Sequence, residues 1–311
     1  MEEYRFTRLN DRNLADLAGL YLSAFNVRVS KEYLSKKYNT EQFGLKYVGY
    51  IAYAPDGTAA AYYGVFPMIL EYGGQKILAA QSGDTMTHAN HRGKQLFTKL
   101  AKATYQLARE EGIEFVFGFP NKNSYPGFVK HLDWQIIGEM ESFVIRVPGI
   151  PLNAVAKRWG IFSPAYQWLV KKLLRGYTTK RIPFGNSLAA PDKITVRHDL
   201  NYLNYRSFSK NYILDLGGKL CWVKLEGNLF VGDIDRMNHD EFIIVLKKLK
   251  SIARITGSIK IVFLFSPESP WKGMLLQHAE LQQGLPIGYV NFRSSLDLNK
   301  LAFTLADADT F

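Results

Sequence analysis

One stretch of the sequence limits the possible folds more than any other: a long amphipathic helix followed by a short, wholly apolar strand. Apolar side chains recur at helical spacing from Leu96 to Ala108, and Gly112 ends this pattern. The run IEFVFGF that follows is typical of a parallel strand buried on both faces. Because the residues before Gly93 also form a strand-like run, we predict a right-handed strand–helix–strand crossover within a mixed α/β sheet.

The rest of the chain extends this pattern on both sides. Residues 4–9 alternate like a half-buried strand and precede a helix, and strands joined by turns form an antiparallel meander before the crossover. A short helix and a longer strand follow it. The last third of the chain repeats the order of hairpin strands, helix and buried strand. We therefore predict a domain over residues 1–150, a basic helical linker over 151–190 and a second domain over 191–311.

Composition excludes several classes of protein. Hydrophobic residues make up 47% of a chain that has no low-complexity tract, which indicates a globular protein and not a disordered one. Cys221 is the single cysteine, so an intramolecular disulfide and a Cys-x-x-Cys metal site are excluded, and we predict no metal. The first residues are acidic and no apolar run approaches the ~20 residues of a membrane span, so we expect a cytoplasmic protein without an integral membrane segment.

The net charge of +11 suits nucleic acid, a membrane surface or an anionic small molecule, and charge alone does not choose between them. Residues 153–181 contain basic but no acidic residues, with aromatic residues interleaved. This composition leaves open a peripheral membrane or nucleic-acid binder. A basic interdomain helix is the simpler interpretation, and we predict no nucleic-acid partner.

Residues 85–100, TMTHANHRGKQLFTKL, predict an anion site. The strand passes through a tight turn into the long helix, and such a turn presents unpaired backbone N–H groups beside a helix N-terminus. Arg92 and Lys94 add positive charge, and Gly93 lets the backbone approach a phosphate without a Cβ between them. A pyrophosphate suits this arrangement.

This turn resembles motif A of the GNAT acetyltransferases, Gln/Arg-x-x-Gly-x-Gly/Ala, with Arg92 as its first position. Gln95 departs from the motif where the second glycine is usual, and Phe97 where a small residue is usual. The order of elements over residues 4–146 also resembles the GNAT order. The resemblance implies the acyl-CoA N-acyltransferase (GNAT) fold. For the second half it implies a degenerate GNAT-like unit of the bacterial tandem type, similar to acyltransferases associated with polysaccharide synthesis.

The resemblance also implies a set of residues around acetyl-CoA, which would be the co-substrate. Backbone groups of Met86 and Thr87 would pair with the pantetheine arm, and Asn121 and Ser124 would lie beside the thioester. The pyrophosphate would be wrapped by the turn and the first residues of the helix, namely Arg92, Gly93, Lys94, Gln95, Leu96 and Phe97.

For the chemistry we predict Asp84 as the general base and Tyr125 as the acid. Asp84 lies on the strand before the turn, close to the expected thioester, and an attacking ammonium must lose a proton. A strand-edge or bulge position is its alternative interpretation. The family's usual tyrosine falls at Val129, which cannot donate a proton, and Tyr125 is the nearest hydroxyl. Tyr125 is otherwise a partly exposed aromatic residue at a helix start.

We therefore predict an N-acetyltransferase that moves an acetyl group from acetyl-CoA to a primary amine of a small molecule such as an amino sugar. The alternative is a catalytically weak GNAT scaffold that senses CoA or a partner, which Gln95 and the missing tyrosine favour. Near the C-terminus, Asp307 and Asp309 either bind the amine or are simply solvated. A monomer and a dimer both stay open.

Overall fold

The computed structural model describes residues 3–158, 163–179 and 185–311. The chain forms two compact units, each assembled from separated stretches. The first unit comprises Met1–Gly138, Asn201–Phe208 and Pro286–Asn299, and the second comprises Glu139–Leu200, Ser209–Leu285 and Lys300–Phe311. The continuous division at residues 150 and 190 stays a prediction.

The first part of the chain follows the predicted order of elements. Its strands are β1 (Arg5–Arg8), β2 (Val48–Tyr53), β3 (Ala59–Tyr72), β4 (Gln75–Thr87), β5 (Phe115–Gly118) and β6 (Gln135–Arg146). Its helices are α1 (Leu17–Phe25), α2 (Lys31–Lys37), α3 (Leu96–Glu110) and α4 (Tyr125–His131). The apolar face of α3, including Leu100 and Ala108, is buried as its periodicity predicts.

The second part of the chain begins with helices. These are α5 (Leu152–Arg158), α6 (Ser163–Leu174) and α7 (Leu200–Arg206), followed later by α8 (His239–Ile255) and α9 (Lys272–Leu276). The strands are β7 (Thr195–Val196), β8 (Asn211–Asp215), β9 (Leu220–Leu225), β10 (Leu229–Ile234), β11 (Lys260–Phe265) and β12 (Glu280–Asn291). Part of the predicted basic stretch lies outside the described residues, including Trp159, Phe162, Lys180 and Arg181.

In the first unit the sheet has the strand order β1-β2-β3-β4-β5, followed by the end of β12 and the start of β6. Strands β1 to β4 form the predicted antiparallel meander. Strands β4 and β5 are parallel, and α3 connects them, so the predicted crossover is present. On its other side β5 pairs antiparallel with β12, from Gly118–Gly288 to Phe115–Asn291.

In the second unit the strand order is the start of β12, the end of β6, then β11-β10-β9-β8. Strands β9 and β10 form a hairpin, and β10 runs parallel to β11 with α8 between them in sequence. Strand β6 pairs antiparallel with β11 from Glu141–Phe265 to Arg146–Lys260. The sheet is therefore mixed here too, again around one strand–helix–strand crossover.

The same order of elements occurs twice. The series β3, β4, α3, β5, α4, β6 corresponds to β9, β10, α8, β11, α9, β12. The last strand of each series pairs with the parallel pair of the other series, β6 with β11 and β12 with β5. Each parallel pair is thus completed by a strand that is distant in sequence.

Within the described ranges 3–158, 163–179 and 185–311, no helix is long and apolar enough to cross a membrane. The same ranges contain no group of three or more His, Cys, Asp or Glu residues arranged to hold a metal ion.

Candidate functional site

Strands β4 and β5 pair over two residues and then separate. The parallel pairs are Ala80–Val116 and Gln81–Phe117. Gly118 ends β5 beside Ser82, and a Cβ on this glycine would lie 3.3 Å from the Ser82 carbonyl oxygen. The ladder between the two parallel strands therefore stops at Gln81, and a gap between them opens past the close approach of Ser82 and Gly118.

The far end of β4 leads into the N-terminus of α3 through a turn. Gly93 has φ +78°, a conformation that glycine adopts without strain. Arg92, Gly93 and Lys94 are exposed. Gln95, which precedes the helix, makes no side-chain capping hydrogen bond. The positive end of the α3 dipole and two basic side chains thus meet at an uncapped helix start, which suits an anion.

Gln95 itself has φ +59°, in the left-handed region, where a non-glycine residue is strained by about 1 kcal/mol or more. The backbone therefore follows a glycine-like path although the motif's second glycine is absent. Phe97 is a packing residue, because its ring centroid lies 5.2 Å from that of Phe128 and 5.8 Å from that of Tyr63. Leu96 is also buried, so these two residues have backbone groups and not side chains to offer a phosphate.

The corresponding helix of the second unit, α8, begins differently. The side chain of Asn238 accepts a hydrogen bond from Glu241 N, and the Glu241 carboxylate accepts one from Asn238 N. Asp240 and Glu241 also place two acidic residues in the first turn. This capping box supplies acceptors and negative charge at the position where an anion would bind. The N-terminus of α8 is therefore unsuited to a phosphate.

Asp84 lies in a β-bulge of β4. The register of β3 and β4 shifts so that Asp84 and Thr85 together oppose Tyr63, and Asp84 has φ +51°. Its carboxylate accepts hydrogen bonds from Lys37 Nζ at 2.8 Å, from Tyr38 Oη at 3.0 Å and from Tyr21 Oη. The bulge interpretation offered from the sequence is therefore confirmed, and the role of Asp84 as general base stays a prediction.

The Lys37–Asp84 pair is removed from solvent. The side chains are 4% and 8% exposed, so each charge depends on the other. Burial raises the pKa of Tyr38, and the charge of Asp84 raises it further. The same two causes raise the pKa of Tyr21. Both hydroxyls therefore stay protonated and donate to Asp84.

Residues from later in the chain complete this part of the first unit. The ring of Phe208 contacts Tyr33 at a centroid distance of 6.0 Å and lies 5.7 Å from Lys37 Nζ. Tyr202 and Tyr205 pack against Phe43. Residues 201–208 belong to the first unit, although they follow the first stretch of the second unit in sequence.

A second polar group of the first unit is a chain of hydroxyls that the sequence analysis missed. Trp134 Nε1 lies 2.7 Å from Tyr105 Oη, which lies 2.9 Å from Tyr63 Oη. Tyr63 Oη in turn lies 2.9 Å from Ser82 Oγ, at the point where β4 and β5 separate. Trp134, Tyr105 and Tyr63 are buried, whereas Ser82 is half-buried.

Ser82 and Asp84 serve opposite faces of the sheet. Tyr62 and Tyr63 are consecutive residues of β3, so their side chains point to opposite sides. Ser82 bonds to Tyr63, whereas Asp84 bonds to Tyr38, whose ring packs on Tyr62. In a regular strand, residues two apart point to the same face. The bulge changes this, so that Ser82 and Asp84 point to opposite faces.

The other predicted residues lie at the end of β4 and in the segment that follows β5. Met86 is buried and pairs with Tyr62 of β3, and Thr87 pairs with Ala61. After β5, the Asn121 side chain accepts a hydrogen bond from Ser124 N, and Ser124 Oγ accepts one from Asn121 N. These two residues hold the turn that begins α4. Tyr125, the first residue of α4, is 37% exposed.

In the second unit the region beyond the β10–β11 pairs is filled by the unit's own chain. Pairing ends at Val231–Phe263, and the tail then hydrogen-bonds to the end of β11, with Ser266 N donating to Phe303 O. The ring of Phe311 covers Gly232, where a Cβ would lie 2.2 Å from the ring. This parallel pair therefore leaves no gap like the one at Ser82.

A buried ionic cluster accompanies this filling. His198 Nδ1 lies 2.9 Å from Asp233 Oδ2, and His198 Nε2 lies 2.7 Å from Asp307 Oδ1. Burial lowers the pKa of His198, but the charge of Asp307 and the hydrogen bond with Asp233 outweigh it and raise the pKa to about 9. Asp307 is fully buried, so the interpretation of Asp307 as a solvated acid was wrong.

Comparisons with known proteins agree with this architecture. Residues 5–137 match the family model described as an acetyltransferase (GNAT) domain. A search of curated proteins gave no match.

Three solved structures resemble the chain in fold. A GCN5-related N-acetyltransferase from Kribbella flavida has TM-score 0.59 and 11% identity, over 93% of this chain and 71% of that one. A probable N-acyltransferase from Enterococcus faecalis V583 has TM-score 0.62 and 12% identity, over 93% and 73%. N-myristoyltransferase of Saccharomyces cerevisiae with bound myristoyl-CoA has TM-score 0.56 and 9% identity, over 94% and 80%. Residues 5–137 thus match a GNAT acetyltransferase domain, within a chain that has the mixed α/β architecture of GNAT-fold proteins.

Proposed function

We propose that this chain transfers an acetyl group from acetyl-CoA to a primary amine of a small molecule, such as an amino sugar. The observation that carries the proposal is the combination of an uncapped, basic helix start with a gap between parallel strands. The anionic pyrophosphate of acetyl-CoA would bind just after β4, at the start of α3. The acyl group would lie further back along β4, near Ser82. The GNAT acetyltransferase domain of residues 5–137 supports this assignment.

In this proposal the CoA pyrophosphate binds at the start of α3. Backbone N–H groups of residues 92–97 donate to it, and the Arg92 guanidinium adds a charge-assisted contact. The pantetheine arm runs along β4 beside Met86 and Thr87. The thioester then lies in the gap that begins at Ser82, with the turn of Asn121 and Ser124 on its other side.

The acceptor amine approaches on the face of Asp84. A carboxylate offers about four acceptor positions, of which three are taken by Lys37, Tyr21 and Tyr38, so one remains for an incoming ammonium. Asp84 accepts the proton that the amine must lose before it attacks the thioester carbon. Tyr125 then supplies a proton to the departing thiolate. Positioning of the amine contributes most of the rate, and each proton transfer adds about 10²-fold to 10⁴-fold.

We propose that the second half is a degenerate GNAT-like unit and that the chain is therefore of the tandem type. The repeated order of elements supports this relation. The capping box of α8 and the filled region beyond β10 and β11 support a role other than CoA binding. The polysaccharide association and the cytoplasmic location stay predictions.

An acceptor screen tests the proposed function. Purified protein is incubated with acetyl-CoA and panels of amino sugars, nucleotide amino sugars, polyamines and aminoglycosides, and free thiol release is followed together with product mass. We expect one amine class to stimulate thiol release and to gain an acetyl group. A protein that binds CoA by calorimetry but acetylates no amine would instead support the alternative of a CoA-sensing scaffold.

A further inference from the structure

The chain of hydroxyls that ends at Ser82 has a fixed direction. Indole Nε1–H is a donor and never an acceptor, so Trp134 donates to Tyr105 Oη. Tyr105 Oη must then find an acceptor for its own hydrogen. Its hydrogen-bond contacts in the described part of the chain are Trp134 and Tyr63, and therefore Tyr105 donates to Tyr63.

The hydroxyl of Tyr63 is oriented in the same way. Tyr63 Oη accepts from Tyr105, and the other hydroxyl within its reach is Ser82 Oγ at 2.9 Å. Tyr63 therefore donates to Ser82. Because Ser82 Oγ receives this hydrogen, its own O–H is directed away from Tyr63. A single buried indole thus orients three hydroxyls in series.

Of these four hydrogen-bonded residues, Ser82 is the one that is half-buried, and it lies where the pairing of β4 with β5 ends. Gly118 on the facing strand approaches Ser82 closely, since a Cβ there would lie 3.1 Å from the Trp134 ring and 3.3 Å from the Ser82 carbonyl oxygen. We infer that Ser82 is an oriented hydroxyl donor to the acetyl-CoA thioester, with Tyr63, Tyr105 and Trp134 as positioning residues. This inference rests on the proposed function.

The hydroxyl donates a hydrogen bond and does not transfer a proton through the chain. Burial raises the pKa of Tyr63 and of Tyr105, so neither phenol gives up its proton to resupply Ser82. As the amine nitrogen bonds to the thioester carbon, negative charge develops on the thioester carbonyl oxygen. A hydroxyl that is already oriented toward this oxygen stabilises the charge. The C–S bond then breaks, and the thiolate takes its proton from the separate acid.

Steady-state kinetics with the amine found in the acceptor screen tests the inference. We expect Ser82→Ala to lower kcat by about 10²-fold, with the KM for acetyl-CoA unchanged, because the contact strengthens only as charge develops. The factor should be the same from pH 6 to pH 9, since a serine hydroxyl does not titrate there. Tyr63→Phe should lower kcat less, because Ser82 keeps its hydroxyl but loses its orientation.

A double-mutant cycle separates orientation from packing. If Tyr63 acts through Ser82, the variant Ser82→Ala/Tyr63→Phe is no slower than Ser82→Ala alone. Ser294→Ala and Tyr53→Phe are matched controls: they remove a hydroxyl bonded to Leu296 N and one bonded to Asp16, and they should leave kcat unchanged.

The failures are distinguishable. A wild-type protein that acetylates amines while Ser82→Ala keeps its kcat within twofold overturns the inference and leaves the proposed function intact. If the losses of kcat are additive in the double variant, Tyr63 does not act through Ser82. If the loss of kcat in Ser82→Ala varies with pH, Ser82 is not the proposed hydroxyl donor. A wild-type protein that transfers acetyl to no amine overturns the proposed function and this inference together.

Discussion

The two parallel strand pairs of this protein end in opposite ways. In the first unit β4 leaves β5 after Gln81 and continues into an uncapped basic helix start. In the second unit the corresponding region is covered by the chain's own tail, and α8 begins with a capping box. The same order of elements thus leaves an uncapped helix start in one unit, whereas in the other unit the helix start is capped and the strand ends are covered.

Strand β10 has a bulge between Val231 and Asp233, as β4 has at Asp84, and both bulged strands hold an aspartate that is paired with a buried cation. Asp84 pairs with Lys37 in the first unit, and Asp233 pairs with His198 in the second. The difference lies in what else surrounds them. Asp84 is held by two phenols, whereas His198 is shared with a second carboxylate, Asp307. A buried ion pair at such a bulge therefore does not by itself indicate catalysis.

The largest expected effect comes from neutralising the two aspartates. Asp84→Asn should lower the free energy of unfolding by about 3–5 kcal/mol, because Lys37 is left buried without its anion. Asp233→Asn should cost less, since His198 keeps Asp307. Of the two variants, Asp84→Asn alone should also lower kcat, and rising pH should partly restore it by supplying free amine. Urea unfolding and steady-state kinetics measure both quantities.

A compensated variant separates folding from chemistry in the first unit. Lys37→Met/Asp84→Asn removes both charges, so we expect most of the lost stability to return. Its kcat should stay low. If the double variant, or Asp84→Asn alone, keeps the wild-type kcat, Asp84 is a structural residue. The aspartates of the two bulges would then not differ in function.

The second effect is a pH dependence that belongs to His198. Its pKa is raised from 6.5 to about 9 in the folded protein, so protonated His198 stabilises the fold. That contribution, about 3 kcal/mol, is fully present below pH 6.5 and is lost as the pH rises through 9. Chemical unfolding at several pH values measures it. The variant His198→Asn should be less stable and should not show this loss between pH 6.5 and 9.

A smaller effect concerns the open end of β4. Arg92→Glu should weaken CoA binding by at least about 1 kcal/mol, because a charge-assisted contact is replaced by repulsion. Arg254→Glu, an exposed charge reversal in the last turn of α8, is the matched control and should leave the CoA affinity unchanged. Isothermal calorimetry with CoA compares them. Equal losses in the two variants would mean that net charge, and not the turn, attracts CoA.

The smallest effect is expected at Gln95. Replacing this left-handed residue by glycine relieves strain in the folded state but increases the entropy of the unfolded chain. The balance should raise the stability by about 0.5–1 kcal/mol, which thermal unfolding detects. A lower Tm for Gln95→Gly would show that the Gln95 side chain contributes more than its backbone conformation costs.

Periodicity predicted the crossover, because α3 buries one continuous face and β5 is buried on both. The exposed basic turn before α3 was predictable for a similar reason, since Arg92, Gly93 and the helix start are adjacent in sequence. The partners of Asp84 were not predictable. Lys37 has no local signal that distinguishes it from a solvated lysine, and Tyr21 is indistinguishable from a core residue.

The oriented hydroxyls show the same limit more sharply. Ser82, Tyr63 and Tyr105 lie on three different elements, Trp134 lies just before β6, and no motif links them. Their relation is created by the register of β3 with β4 and by the packing of α3 against the sheet. Asp307 was misjudged because proximity to the C-terminus suggests solvent, whereas the tail is buried in the second unit.

The exchange of the last strands has a consequence for the order in which this protein folds. Strand β5 ends at Gly118, but its antiparallel neighbour, which begins at Pro286 within the first unit, is made some 170 residues later. During synthesis at the ribosome, β5 therefore emerges long before its neighbour, and contacts of such sequence separation form slowly. A fragment that stops near residue 150 would present β5 with an unpaired edge, which invites association with other chains. The first unit should consequently reach its native state only after nearly the whole chain has been translated.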